Sequence, residues 1–209
     1  MKEEQVKFRS DELSLEGMLV RPKPGGSQPG AVICHPHPMY GGSMHNNVVE
    51  AVLDGLWRRG YATLRFNFRG VGGSEGEYDG GAGEADDARA AIAWLMEQPG
   101  IRSDAIVLAG YSFGAMVAVR AGFADPAVAR LIAVALPIGM TDFGTVAPLK
   151  PILLVSGDRD SYSPIDKLQA LEAKLGSSAQ LEVVAGADHF FGGYEDMLSG
   201  IIERRMAAS

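Results

Sequence analysis

At 209 residues and 46% hydrophobic, the chain is long enough to bury a full core, and no compositional break divides it, so one globular domain over residues 1–209 is expected. A formal net charge of −7, with no basic run longer than Arg58-Arg59 or Arg204-Arg205, excludes a nucleic-acid face. The single cysteine, Cys34, excludes an intrachain disulfide and a multi-cysteine metal cage, and the lack of an apolar leader or of roughly 18 consecutive apolar residues points to a soluble, cytoplasmic protein with no membrane partner.

In chain order, Val6 to Arg9 and Leu13 to Arg21 alternate as two strands about a turn at Ser10-Asp11-Glu12, an antiparallel opening hairpin. After the Pro/Gly break at Pro22 to Gly26 comes Ala31 to Cys34, a short all-apolar strand of the kind buried on both faces. It runs into a stiff loop, His35-Pro36-His37-Pro38-Met39-Tyr40-Gly41-Gly42. Between His45 and Arg59, Val49, Val52, Leu53, Leu56 and Trp57 recur at helical spacing, and Gly60 stands where a helix terminator is expected. Tyr61 to Phe66 reads as the next strand, followed by a glycine-rich loop, Asn67 to Gly76. A second helix is predicted from Glu84 to Gln98 on the stripe Ala88, Ala91, Ile92, Leu95, with Pro99-Gly100 as its stop.

The apolar run Ala105 to Ala109 reads as a buried strand that leads into Gly110-Tyr111-Ser112-Phe113-Gly114 and a small-residue helix to about Gly122. Strands are then expected at Leu131 to Pro137, Ile152 to Ser156 and Gln180 to Ala185, with helices from Ser163-Pro164 to Leu175 and from Tyr194 to Met206. Strands alternating with helices at this spacing predict a three-layer α/β/α sandwich around a mostly parallel sheet of about eight strands.

Gly110 to Gly114 fits G-x-S-x-G, a sharp strand-to-helix turn that exposes a serine Oγ, so Ser112 is the candidate nucleophile; an ordinary helix cap is the bland alternative. In parallel sheets the active groups lie on loops at the carboxyl ends of strands. Those loops carry Asp158 and Asp160 after the strand ending at Ser156, and His189 after the strand ending at Ala185. Serine needs a base to take its proton; a histidine titrates in the right range, and an aspartate behind it fixes the tautomer. The other three histidines, His35, His37 and His45, surround the first loop. A metal site there is disfavoured because the loop lacks nearby carboxylates and two of its histidines precede prolines.

With these residues in order Ser, Asp, His, the chain resembles an α/β-hydrolase, and specifically the small cap-less serine hydrolases whose first loop carries His-Pro-His-Pro and Gly-Gly. The resemblance covers essentially the whole chain. It implies that Ser112 and His189 are catalytic and, through a G-x-x-D pattern at Gly157 to Asp160, that Asp160 rather than Asp158 is the acid. Asn67 to Gly76 is similar to the family's D-x-R-G-x-G-x-S segment, with Asn67 in place of the usual aspartate, and is read as a structural brace. The fold implies an oxyanion hole of two backbone N–H groups, one from Phe113 and one from the first loop. Pro36 and Pro38 have no N–H, which leaves His37 or Met39. Met39 is preferred, because His37-Pro38-Met39-Tyr40-Gly41 places a glycine where the commoner H-G-x-x-G pattern has one.

Too few residues separate Pro137 from Ile152 to hold a helical cap. An open site follows, roofed by Met39, Tyr40, Phe113, Met140, Phe143, Tyr162, Phe190 and Phe191, with about half of these expected in the core. Tyr40, Phe190 and Phe191 are the candidate substrate contacts. The expected activity is hydrolysis of small-molecule carboxylic esters with small or exposed acyl groups, through an acyl-enzyme and without a cofactor or metal. Thioester or peptide-bond hydrolysis is the nearest competitor, a dienelactone-hydrolase-like reading is less favoured because those relatives use cysteine at the elbow, and a non-catalytic scaffold is the alternative from another class. Oligomeric state is not legible.

Overall fold

A computed structural model describes residues 1–22, 25–138 and 150–206. Eight strands form one sheet in the order β1-β2-β4-β3-β5-β6-β7-β8. They are β1 (Glu3–Ser10), β2 (Leu13–Val20), β3 (Gln28–Cys34), β4 (Ala62–Phe66), β5 (Ile101–Tyr111), β6 (Val128–Val134), β7 (Ile152–Gly157) and β8 (Ala179–Val184). β1 and β2 form the expected hairpin, closed by the pair Ser10 and Leu13, and β2 joins β4 antiparallel; every pairing from β4 through β8 is parallel.

Helices cover both faces. α1 (Asn47–Arg58) and α5 (Glu195–Arg205) lie on one side, and α2 (Ala82–Met96), α3 (Phe113–Gly122) and α4 (Ile165–Leu175) on the other. The Asn46 side chain caps α1 by accepting from Val48 N–H, and its buried stripe includes Val49, Val52, Leu53 and Leu56. Gly55 lets α1 meet α5, because a Cβ there would stand 2.6 Å from the Ser199 carbonyl oxygen. All four residues of the predicted α2 stripe are buried. The helix starts two residues before Glu84, whose carboxylate turns back to accept Asp79 and Gly81 N–H at 2.8 and 2.6 Å.

Several boundaries differ from the sequence reading: β1 begins at Glu3 rather than Val6 and β3 at Gln28 rather than Ala31, and two further shifts have a local cause. β5 begins at Ile101 rather than Ala105, since its first residues pair with Gln28 and Pro29 across an irregular register. β6 ends at Val134 rather than Pro137 because Ala135 turns to φ +48°. The connection order reverses between β3 and β5: β4 lies on one side of β3 and β5 on the other. Such a switch point opens a crevice at the strands' carboxyl ends, and the loops after β3 and β5 line it. No helix among the described residues is long and apolar enough to cross a membrane.

Candidate active site

Ser112 stands between β5 and α3 with φ +53° and ψ −118°, a conformation that L-residues rarely adopt. Its N–H is anchored on the Val134 carbonyl at 2.9 Å. The flanking glycines are steric requirements: a Cβ on Gly110 would lie 2.1 Å from the Gly114 carbonyl oxygen, and one on Gly114 would lie 2.3 Å from that of Cys34 and 2.5 Å from that of His35. The second clash shows how closely α3 is drawn against the end of β3.

Ser112 Oγ lies 2.9 Å from His189 Nε2, and His189 Nδ1 lies 2.8 Å from Asp160 Oδ2. With the Nδ1 proton directed at the carboxylate, Nε2 is the lone-pair nitrogen and faces the serine hydroxyl. Asp160 is buried, and its other oxygen, Oδ1, accepts Tyr162 N–H at 2.9 Å and Ser163 N–H at 3.1 Å, so the carboxylate has no freedom to rotate from the imidazole. The two aspartates of the β7 loop separate cleanly. Asp158 accepts Gly186 N–H at 2.8 Å and ties the β7 and β8 loops together, while His189 bonds Asp160. Tyr111, the variable residue before the serine, donates its hydroxyl to the His189 carbonyl at 2.9 Å; burial pushes this phenol well above its ordinary pKa, so it stays a neutral donor.

The first loop carries both remaining candidate oxyanion donors, His37 and Met39. Pro38 to Tyr40 form a 3-10 turn capped by His37, whose Nδ1 accepts Met39 N–H at 3.2 Å. The Met39 N–H, the preferred of the two candidates, donates to the His37 imidazole, whereas the His37 N–H is not engaged by that contact. With Nδ1 accepting, the His37 proton resides on Nε2 and faces the Tyr78 hydroxyl at 3.2 Å; burial lowers its pKa, against an opposing pull from Glu84. At the elbow Phe113 is N1 of α3, where an N–H has no acceptor within its own helix.

His35 is a brace. Its Nδ1 points to the Pro36 carbonyl at 2.6 Å and its Nε2 accepts Phe68 N–H at 3.0 Å, while burial lowers its pKa to about 4. The Asn67 segment is tied down similarly: Asn67 Nδ2 donates to Glu16 Oε1 at 2.6 Å, and Arg69 grips the buried Asp87, which also accepts from Ser10 Oγ. No group of three or more histidine, cysteine, aspartate or glutamate side chains among the described residues is arranged to hold a metal ion. Cys34 is buried, and desolvation raises its thiol pKa far above the ordinary range, as expected of a small apolar core residue.

Of the expected roof, Met39, Tyr40, Tyr162 and Phe190 are exposed, and Phe113 is buried against His37 and Tyr78. Phe191 is corrected as a substrate contact: it is 0% exposed and packs in the core against α1 and α5. Met140 and Phe143 lie outside the described residues. Three contributors escaped the sequence reading. Tyr78 follows a loop without periodicity; Tyr111 is the variable position of the motif; and Asn47, whose amide binds the Phe190 carbonyl at 3.2 Å, resembles any helix-start residue.

Residues 11–147 match the family described as X-Pro dipeptidyl-peptidase (S15 family), a span that contains the first loop and the elbow and ends before Asp160. An uncharacterized protein of Rickettsia prowazekii is 36% identical over 197 residues, covering 90% of this chain and 82% of the relative. An alpha-beta serine hydrolase homologue from Coxiella burnetii superposes with a TM-score of 0.90 at 36% identity, over 99% of both chains. A serine hydrolase without lid from Xanthomonas campestris gives 0.88 at 32% identity, over 100% of this chain and 97% of that one. With a strained serine at a glycine-flanked elbow and its hydrogen-bonded histidine and aspartate, the chain belongs to the S15 family within the α/β-hydrolase superfamily and has the active-site arrangement of a serine hydrolase.

Proposed function

We propose that the chain hydrolyses carboxylic esters of small or exposed acyl groups through an acyl-enzyme. The observation that carries this reading is the 2.9 Å contact between Ser112 Oγ and a histidine whose other nitrogen lies 2.8 Å from a buried, rotationally fixed aspartate. Ser112 Oγ attacks the carbonyl carbon while His189 Nε2 takes its proton; Asp160 holds the ring and stabilises the imidazolium. The carbonyl oxygen becomes anionic between the N–H groups of Phe113 and His37, each such donor being worth about 100- to 1000-fold in turnover. His189 then protonates the departing alcohol, and water repeats the sequence on the acyl-enzyme. The preference for small or exposed acyl groups is supported by the short connection from Val134 at the end of β6 to Ile152 at the start of β7.

A fluorophosphonate probe tests the reading directly. The wild-type protein should be labelled on Ser112, and Ser112→Ala should lose both labelling and the acylation burst; labelling that survives the substitution overturns the mechanism. The matched family's description favours one second reading, cleavage of the amide after an X-Pro dipeptide. An X-Pro anilide assayed beside acetate and butyrate esters separates the two by kcat/KM.

A further inference from the structure

Beside His189 two aromatic rings stand in solvent. Tyr162 is 47% exposed with its ring centroid 4.8 Å from the imidazole, and Phe190 is 64% exposed at 5.6 Å and nearly perpendicular. Both rings are carried by backbone that is pinned. Tyr162 N–H donates to Asp160 Oδ1; Phe190 N–H donates to Asp188 Oδ1 at 2.9 Å, and its carbonyl accepts from Asn47, whose amide also reaches Glu195 at 2.9 Å. The next residue, Phe191, adopts φ +55°, an unfavourable conformation for an aromatic residue. That turn sends two consecutive phenylalanines apart, Phe191 into the core and Phe190 toward solvent beside the imidazole.

Chemistry determines which half of a substrate meets these rings. His189 Nε2 must reach the leaving atom to protonate it, while the carbonyl oxygen faces the N–H groups of Phe113 and His37. The substituent on the leaving atom therefore lies along the imidazole's flanks, and the acyl chain lies elsewhere. Exposed aromatic rings prefer a flat partner in offset or edge-to-face contact, about 4.5–7 Å between centroids. We propose that Tyr162 and Phe190 form a leaving-group subsite for aromatic alcohols, and so determine specificity for esters that carry an aryl group on the alcohol side. The proposal rests on the serine-hydrolase reading above. In the acylation step the bond between the acyl carbon and the alcohol oxygen breaks, the bond to Ser112 Oγ forms, and the serine proton passes through His189 to the alcohol, so no co-reactant is required.

The test compares benzyl, cyclohexylmethyl and ethyl acetates, which share one acyl-enzyme, so that kcat/KM isolates acylation. Wild-type protein should favour benzyl over ethyl acetate by up to about tenfold, the discrimination one aromatic pair adds at a solvent-exposed face. In Tyr162→Ala/Phe190→Ala that ratio should collapse toward unity, while the ratio of benzyl butyrate to benzyl acetate stays put. Both substitutions leave in place the backbone N–H groups that Asp160 and Asp188 accept. A benzyl-to-ethyl ratio unchanged in the double variant, or an acyl-chain ratio that moves as much, overturns the subsite; so does a cyclohexylmethyl ester that matches the benzyl ester. Failure of Ser112 to take the fluorophosphonate probe instead overturns the hydrolase reading beneath it.

Discussion

Replacing Asn67 with aspartate restores the residue usual at this position in similar hydrolases and sets two carboxylates against each other. Asn67 is buried; its Oδ1 accepts Met44 N–H at 2.9 Å, and its Nδ2 donates to Glu16 Oε1 at 2.6 Å. In Asn67→Asp the first contact survives and the second becomes oxygen against oxygen. Two unit charges at the 2.6 Å separation of Nδ2 and Oε1 repel by about 6 kcal/mol at an effective dielectric of about 20. Taking up a proton is cheaper: carboxyl groups ordinarily titrate near pH 4, so holding one proton at pH 7 costs about 4 kcal/mol at about 1.4 kcal/mol per pH unit. The pair shares a proton, and the folded variant binds one more proton than its unfolded chain above about pH 4. Its destabilisation therefore grows with pH, from little near pH 4 to about 4 kcal/mol at pH 7. Urea unfolding of the wild type, Asn67→Asp and Asn67→Asp/Glu16→Gln at pH 5, 6 and 7 reads this out. The single variant should lose about 1.4 kcal/mol per unit relative to wild type, and the double variant should recover most of the loss. A pH-independent deficit, or no recovery in the double variant, refutes the reasoning.

Asp160→Asn should lower kcat by about 10⁴-fold by reversing the hydrogen-bonding sense at His189, whereas Asp158→Asn should retain turnover, since Asp158 serves a loop N–H; burst kinetics on a nitrophenyl acetate compare them. Gly114→Ala places a Cβ 2.3 Å from the Cys34 carbonyl oxygen, so it should cost about 3 kcal/mol of stability and displace the loop after β3, visible as a lower Tm together with a lower kcat. His35 has its pKa lowered to about 4 by burial, while an unfolded histidine titrates near 6.5. The unfolded chain thus binds the extra proton, and stability should fall by up to about 3 kcal/mol as pH drops from about 6.5 to 4. His35→Gln should lose that slope in pH-dependent urea midpoints.

The sheet was legible because each central strand is an unbroken apolar run closed by a glycine-rich or polar loop, and the triad was legible because each member lies just past such a run. Strand ends are not encoded in the apolar runs where a contact distant in sequence or a local left-handed residue sets them. Ile101 joins β5 through pairing with Gln28, and β6 stops short of Pro137 because Ala135 turns to φ +48° even though its N–H still bonds the Val155 carbonyl of the neighbouring strand at 2.8 Å. The first loop holds a related case. The glycine spacing favoured Met39, but the His37 side chain folds back onto the Met39 N–H, a local competition that spacing does not encode. Phe190 and Phe191 are identical in type and adjacent, and only the left-handed turn at Phe191 decides which one enters the core.

The four non-glycine residues with positive φ are Asp11, Ser112, Ala135 and Phe191 among the described residues. Three of them lie on loops at the carboxyl ends of β5, β6 and β8, around the triad, and each such residue costs about 1–3 kcal/mol. Asp11 is remote from the site, in the two-residue turn of the opening hairpin, where positive φ at the first central position alone is the type II′ pattern that glycine fits. If the strain near the triad serves catalysis and the strain at Asp11 does not, glycine will act differently at the two places. Asp11→Gly should raise stability by about 1 kcal/mol with kcat unchanged. Ser112→Gly should also raise Tm, because the elbow no longer forces a Cβ into that region, yet it should abolish acylation. Thermal unfolding beside the acyl-ester assay tests the contrast. A Ser112→Gly variant no more stable than wild type would mean that the elbow stores no strain, and that its serine is held by packing alone.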